Sequence, residues 1–280
     1  MQHNLFEWND NSSVVSAKPI SKDKTNIAKQ LALFFEILYA GQTPRINSDG
    51  VTSHEAVTGG SFQTISGGSM GFPKVLERTC ISWILSFNTN DKNYNLSGSR
   101  VALFGSLTHS LSLYGALEAL FLGCEVHHLA GLSPSSQLEY LENKKIEILY
   151  VTPTQLRLML SAEYQNYLID SLRYVFIGGA SIEQKTLAEL SKIAPNAELK
   201  QFYGSSETSF ITISDLLTPV NSVGKAYPGV EIVLGDQPDK PVSSGEIGRV
   251  WVRSPYLFSK YVGENSFNLN SFSDWVSPGE

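Results

Sequence analysis

Residues 146–179 read IEILYVTPTQLRLMLSAEYQNYLIDSLRYVFIGG. Ile146 to Val151 is a short apolar run of strand type, and Pro153 to Ser161 is a helical stretch. Leu172 to Ile177 is a second apolar run that stops at Gly178-Gly179. Two apolar strands joined by a helix are the unit of a parallel sheet, because the crossover must return the chain to the same end of the sheet.

The pattern continues in both directions. Upstream, Arg100 to Ser106 is a short apolar run, Tyr114 to Leu122 is helical, Glu125 to Leu129 is strand-like and Ser135 to Lys144 is a polar helix. Downstream, Ile182 to Ile193 is helical and Glu198 to Tyr203 is a strand ending at Gly204. The alternation predicts a layered α/β domain with a mainly parallel sheet. Beyond Val223 the texture changes: strands Val230 to Leu234 and Ile247 to Val252 flank a turn rich in Gly, Pro and Asp, so a small β-rich C-terminal subdomain is expected. The expected division is an α/β core over 1–220 and the β-rich part over 221–280. Nearer the start, Ile27, Leu31, Phe34, Phe35 and Leu38 form one helical stripe within Asn26 to Ala40, stopped by Gly41 and Pro44. Ser61 to Ile65 reads as a strand and Val75 to Asn88 as a helix. The first fifteen residues are polar and expected to fray.

Composition narrows the function classes. The chain has 280 residues, 42% hydrophobic and 17% charged, too apolar and too weakly charged for a disordered protein. With 21 Lys+Arg against 27 Asp+Glu its formal charge is −6, which argues against a dedicated nucleic-acid binder. The most apolar stretch, Ala116 to Val126, is interrupted by Glu118 and Gly123, so no membrane span is predicted. The first ten residues lack the basic and apolar regions of a secretory signal. Cys80 and Cys124 are too few for a disulfide framework and read as small core residues. A cytoplasmic globular protein is expected.

Two segments carry chemistry. In Ser66-Gly-Gly-Ser-Met-Gly-Phe-Pro-Lys74, small residues let backbone N–H groups approach an anion, Ser66 and Ser69 add hydroxyls and Lys74 adds a positive charge. The same composition also makes an ordinary turn. It is not a Walker A loop, since Lys74 follows Pro73 and precedes Val75. Gly67-Gly-Ser-Met-Gly71 matches the GxSxG nucleophile elbow, but no histidine follows His128 to serve as the late member of a hydrolase triad. The second segment, Gln201-Phe-Tyr-Gly-Ser-Ser-Glu-Thr208, sits at a strand end, where open α/β sheets place ligands. There Glu207 suits a divalent cation, Ser206 a phosphate and Tyr203 the flat face of a base, although a strand-end turn with a capping Glu has the same residues. His127-His128 point to opposite faces of a strand and are not expected to share an ion.

Together these segments resemble the adenylate-forming superfamily of acyl-CoA synthetases, peptide-synthetase adenylation domains and luciferases. Ser66 to Lys74 resembles the phosphate loop TSGSTGxPK, and Tyr203-Gly-Ser-Ser-Glu207 resembles YGxTE. Gly178-Gly-Ala180 is similar to the GGA turn beside the adenine. Ser222 to Gly229 is similar to SVGxPxPG, and Gly245 to Tyr261 to GEIxVRGxxxxxGY. His109 matches the residue at the mouth of the acid pocket. Met70, Val75 and Ser206 depart from the family's Thr, Gly and Thr, and Glu280 stands where an Asp holds the ribose.

The resemblance implies ATP-dependent activation of a small carboxylic acid as an acyl-adenylate, followed by transfer to CoA or to a carrier-protein phosphopantetheine. It casts Lys74, Ser206 and Glu207 as catalytic, with Glu207 holding Mg²⁺. Ser66, Gly68, Ser69, Gly71, Gly179, Ala180, Tyr203, Gly204 and Glu280 would bind ATP, and His109 and Gly178 would face the acid. The family's mobile C-terminal domain, which carries a lysine that assists adenylation, is absent from this sequence, so a separate C-terminal domain or carrier protein is an expected partner. The alternative is a catalytically incomplete protein that binds nucleotide or acyl-adenylate as a structural or regulatory partner.

Overall fold

The computed structural model describes residues 4–17, 26–56, 59–66, 74–215, 217–219, 221–263 and 271–278. β1 (Ser13–Ser16) and α1 (Ile27–Tyr39) precede β2 (Thr43–Asn47), β3 (Gly50–His54), β4 (Ser61–Ile65) and β5 (Val75–Thr79). α2 (Cys80–Tyr94) follows without a gap. The alternating region comprises β6 (Arg100–Leu103), α3 (Ser110–Phe121), β7 (Glu125–His128), α4 (Pro134–Asn143) and β8 (Ile148–Val151). It continues through α5 (Pro153–Met159), β9 (Tyr174–Ile177), α6 (Gln184–Ile193) and β10 (Glu198–Ser205). Strands then dominate: β11 (Ser209–Ser214), β12 (Lys225–Ala226), β13 (Glu231–Gln237), β14 (Lys240–Pro241), β15 (Val250–Arg253), β16 (Lys260–Val262), β17 (Ser271–Phe272) and β18 (Trp275–Val276).

Among the described residues the main sheet has eight strands in the order β1-β7-β6-β8-β9-β10-β11-β12. It is parallel from β1 to β10 and antiparallel from β10 to β12. Both faces are covered, as a parallel sheet requires. Val101, Leu103, Ile148 and Tyr150 enter one apolar core, while Ala102, Leu149 and Val151 enter the other. Local signals place the helices. Asn26 accepts hydrogen bonds from the Ala28 and Lys29 amides at the start of α1. Thr152 and Gln155 form a capping box at α5, so one turn of sequence fixes where that helix begins. The strand order reverses around β6, with β7 on one side and β8 on the other, and such a reversal opens a crevice at the carboxyl ends of the strands. A mixed sheet β16-β5-β4-β2-β3 and a β-rich sheet β14-β13-β15-β18-β17 complete the fold. The layered α/β architecture with a β-rich C-terminal part is therefore present.

Three expectations are corrected. Val75–Thr79 is a strand, and the helix begins only at Cys80. Leu76, Glu77 and Arg78 are good helix formers, but pairing overrides propensity: β5 lies between β4, from Ser61↔Thr79 to Ile65↔Val75, and β16. The described part of the N-terminal segment is not frayed. Phe6 is buried against Phe34, Phe62, Trp83 and Phe87, and β1 adds to the sheet beside β7. Ile247 lies outside β15 and is fully exposed. No helix among the described residues is long and apolar enough to cross a membrane.

Candidate active site

The stretch from Ser66 to Lys74 joins two antiparallel strands. β4 enters it and β5 leaves it, and the mouth is closed by Ser66 and Lys74. The Ser66 amide donates to the Lys74 carbonyl at 2.9 Å, and the Lys74 amide donates to Ser66 Oγ at 3.3 Å. Gly68, Ser69 and Gly71 lie outside the described residues, as does Glu280. A parallel bridge between Ile65 and His109 ties the end of β4 to the start of α3, which His109 caps with its backbone. The His109 side chain is exposed.

The other predicted residues lie just after β9, at the end of β10 and just beyond it. Gly178 is buried under the Phe202 ring, so closely that a Cβ there would lie 2.0 Å from Phe202 Cζ. Gly179, at φ +91°, turns the chain, and Gly179 and Ala180 are exposed. At Gly204 the β10–β11 pairing is irregular, and a Cβ would lie 1.9 Å from the Ser209 carbonyl oxygen. Only glycine permits that tight return. Ser206 Oγ is 3.1 Å from Ser110 Oγ, which joins this turn to the first turn of α3. Tyr203 stays within the ladder, opposite Thr212.

Lys74 and Glu207 are brought together through a residue from the third quarter of the β-rich region. Tyr261, on β16, donates its hydroxyl to Glu207 Oε1 at 2.9 Å, and Lys74 Nζ lies 5.2 Å from the centroid of the same ring. Burial, then the Glu207 carboxylate, raises the Tyr261 pKa, so the phenol stays a donor. Glu207 is buried, and its carbonyl accepts from the Phe258 amide. Mg²⁺ takes one or two protein carboxylates plus phosphate oxygens and water, and a lone Glu207 with one oxygen engaged by Tyr261 fits that donor set. Among the described residues no group of three His, Cys, Asp or Glu offers an all-protein metal site.

Arg78, which the motif reading did not single out, organises this region. It is wholly buried on β5, four residues after Lys74. Its guanidinium donates to the Ser206 carbonyl at 2.5 Å, to Ser209 Oγ at 2.6 Å and to the Tyr256 carbonyl. Desolvation lowers its pKa to about 9, opposed by the Glu207 charge, so it remains a cation at neutral pH. The buried Nε has no hydrogen-bond partner, leaving the fork engaged through its two terminal nitrogens. An arginine spacing alone carries no such signal, because its acceptors are backbone carbonyls far along the chain.

Beside the turn lies a cavity of about 230 Å³. Gly179, Gly204, Ser205, Ser206 and Ser110 form its polar side, and Trp83, Tyr114, Phe202 and Phe210 its aromatic side. Gly178, Ala180, Tyr203 and His109 are not among its lining residues. Behind Tyr114 sits a second buried group that the sequence showed only as an interruption in an apolar run. Glu118 accepts from Tyr150, Tyr114 and Asn90, the last two at 3.1 and 2.8 Å. Burial raises its pKa to about 7 in spite of these donors.

The remaining polar candidates have ordinary roles. His127 pairs with Tyr140 and His128 with the Gly105 carbonyl, on separate partners, as expected of neighbours on a strand. Cys80 and Cys124 are buried free thiols, each pushed up to about 12 by desolvation.

The chain is similar to several known proteins. A family model described as AMP-binding enzyme matches residues 64–262. A putative long chain fatty acid-CoA ligase, VraA, from Staphylococcus epidermidis is 32% identical over 215 residues, covering 76% of this chain and 45% of the relative. An uncharacterized acyl-CoA ligase, YhfT, from Bacillus subtilis is 31% identical over 220 residues, covering 77% and 44%. The chain thus spans under half the length of these curated relatives. Among solved structures, the O-succinylbenzoate coenzyme A synthetase MenE from Bacillus subtilis, in complex with ATP and magnesium ion, aligns with a TM-score of 0.68 at 22% identity. The alignment covers 78% of this chain and 46% of that one. The luciferase-like enzyme from the mealworm Zophobas morio aligns with a TM-score of 0.67 at 19% identity, covering 78% and 53%. These likenesses share the fold of the large domain. The family match takes in both motif turns, Lys74, Glu207 and Tyr261, and this chain belongs to the AMP-binding enzyme family, the adenylate-forming superfamily.

Proposed function

We propose that this chain binds ATP and a small carboxylic acid and activates the acid as an acyl-adenylate, for transfer to CoA or to a carrier-protein phosphopantetheine. The observation that carries the reading is the Lys74–Tyr261–Glu207 constellation, set beside a cavity lined by serines, glycines and aromatic rings.

A carboxylate oxygen attacks the α-phosphorus, the new O–P bond forms and the bond to pyrophosphate breaks. Negative charge shifts onto the leaving phosphates, so fixed donors and cations supply most of the stabilisation. Lys74 grips the β- and γ-phosphates together with Ser66 and the loop residues Gly68, Ser69 and Gly71. Ser206 contacts the α-phosphate, and Glu207 would hold Mg²⁺, which would supply positive charge against the phosphates. Gly179, Ala180, Tyr203 and Gly204 border the adenine, and Glu280 holds the ribose. His109 and Gly178 belong to the acid side: His109 at its entrance, Gly178 beneath the Phe202 wall. Residues 1–220 serve as the nucleotide- and acid-binding core and 221–280 as the β-rich part that brings Tyr261. A C-terminal domain or a carrier protein completes the transfer step, and the reaction belongs in the cytoplasm, where ATP is available.

Calorimetric titration with ATP and Mg²⁺ tests this. Lys74→Ala and Glu207→Ala are each expected to weaken binding about tenfold or more, a change of about 1.4 kcal/mol. Absence of ATP binding to the unmodified chain overturns the reading. ATP binding with no pyrophosphate exchange for any acid, even with a C-terminal domain supplied, would favour the nucleotide-binding partner instead.

A further inference from the structure

We propose that the acid taken by this site is compact: one aromatic ring or an acyl group of up to about nine carbons, to the exclusion of long-chain fatty acids. This rests on the reading of the cavity beside Ser206 as the acid site. An apolar cavity of about 150 Å³ holds benzene, six carbons, so the cavity of about 230 Å³ here holds about nine on the same scale.

Volume alone would not settle the limit, because a wall can swing aside. Here each aromatic wall is fixed from behind. Tyr114 packs edge-on to Trp83 and Phe210, both at 5.1 Å between centroids. Its hydroxyl meets Ser86 at 2.9 Å and Glu118 at 3.1 Å, both buried. Phe210 stacks on Tyr227 at 4.8 Å, and the Tyr227 hydroxyl donates to Asn90 Oδ1 at 2.6 Å. Phe202 is seated on Gly178 and packs edge-on to Phe210 at 4.8 Å. Trp83 donates its indole N–H to Ser209 Oγ at 3.2 Å.

Behind Tyr114 and Phe210 stand the buried rings of Phe87, Tyr150 and Tyr227, with Ser86, Asn90 and Glu118 hydrogen-bonded among them. An alkyl tail extended past these rings would have to break their hydrogen bonds and leave Glu118 and Asn90 short of partners in a dry interior, which proteins avoid. The geometry also gives the acid an orientation. Ser110, Ser205 and Ser206 face the carboxylate end, and the four rings face the tail.

The test uses calorimetry with three probes: 5′-O-sulfamoyladenosine, its 3-phenylpropanoyl derivative and its hexadecanoyl derivative. The phenylpropanoyl group should tighten binding about tenfold or more over sulfamoyladenosine, and the hexadecanoyl group should give no gain. In Leu111→Trp, which fills the cavity from α3, the phenylpropanoyl gain is measured against sulfamoyladenosine on the same variant and should fall below about twofold. A hexadecanoyl gain equal to or above the phenylpropanoyl gain overturns the proposal, as does no gain for either. If sulfamoyladenosine itself does not bind, the nucleotide reading fails separately. The free acids then decide the cavity: 3-phenylpropanoate binding without hexadecanoate binding supports a compact pocket, and any other pattern overturns it.

Discussion

Arg78 and Glu118 are both buried to within a few per cent, Arg78 bonded to the cavity residues Ser206 and Ser209 and Glu118 to the cavity residue Tyr114, and they are satisfied in different ways. Arg78 spends its donors on the backbone and one hydroxyl: the carbonyls of Ser206 and Tyr256, and Ser209. Glu118 is held by side chains alone, from Tyr150, Tyr114 and Asn90. A charge that grips main chain fixes where segments run, so Arg78 positions the Ser206–Glu207 turn relative to β5. A carboxyl that grips side chains fixes rings, so Glu118 positions the wall. Their titration differs as well. Arg78 stays charged at neutral pH even with its pKa lowered to about 9, whereas Glu118, raised to about 7, exchanges its proton within the physiological range.

The sharpest way to break the comparison is to remove the guanidinium. Arg78→Met leaves the Ser206 carbonyl without its donor and takes one of two donors from the Tyr256 carbonyl and from Ser209 Oγ, which keep Ser209 Oγ and the Trp83 indole respectively, at about 1–3 kcal/mol for each buried group left short. A loss of roughly 4 kcal/mol is expected in urea unfolding, with ATP affinity falling together with it. Stability loss with intact ATP affinity would show that the turn holds its shape without Arg78.

Glu118 predicts a pH effect. Its folded pKa lies above the ordinary carboxyl value of 4.5, so the folded protein keeps a proton that the unfolded chain has released. Stability therefore falls as pH rises from about 4.5 to about 7, by about 3 kcal/mol in total, and is level above that. Glu118→Gln should remove this slope, measured by urea unfolding at about pH 5 and about pH 8. An unchanged slope would assign the dependence to other groups.

The smallest effect is expected on the wall itself. Gly178→Ala drives a methyl into the Phe202 ring, costing about 2 kcal/mol of overpacking. The ring has to move toward the cavity, so the phenylpropanoyl probe should weaken more than sulfamoyladenosine does. Equal weakening of both would mean that the shift is not transmitted to the acid side.

The contrast also explains what could be read before the structure. The β8–α5–β9 unit was legible because its determinants are local: apolar runs, a Thr152–Gln155 capping box and a Gly178-Gly179 stop. Ser66, Lys74, Ser206 and Glu207 were legible as candidates because small residues with one charge or hydroxyl at a strand end form a recognisable pattern. β5 was not, since Leu76, Glu77 and Arg78 favour a helix in isolation and become a strand only through β4 and β16. Phe6 stands in a polar segment, and nothing nearby in sequence announces the four rings it packs against. Arg78, Glu118 and the Tyr261–Glu207 contact depend on partners brought close by the completed fold, and periodicity carries no information about those.

The pairing of β16 with β5 has a consequence for biosynthesis. Lys260 lies opposite Glu77 and Tyr261 opposite Leu76, so the strand that begins just after Lys74 gains its outer neighbour from near the end of the described chain. During translation Lys74, the turn at Glu207 and the aromatic cavity can all have emerged while Tyr261 is still unmade. Closing so long a loop is slow, and domains assemble as units once their distant contacts exist. The phenol that links Lys74 to Glu207 is then among the last contacts to form, and a nascent chain lacks this part of the site until almost all of the described residues have been synthesised.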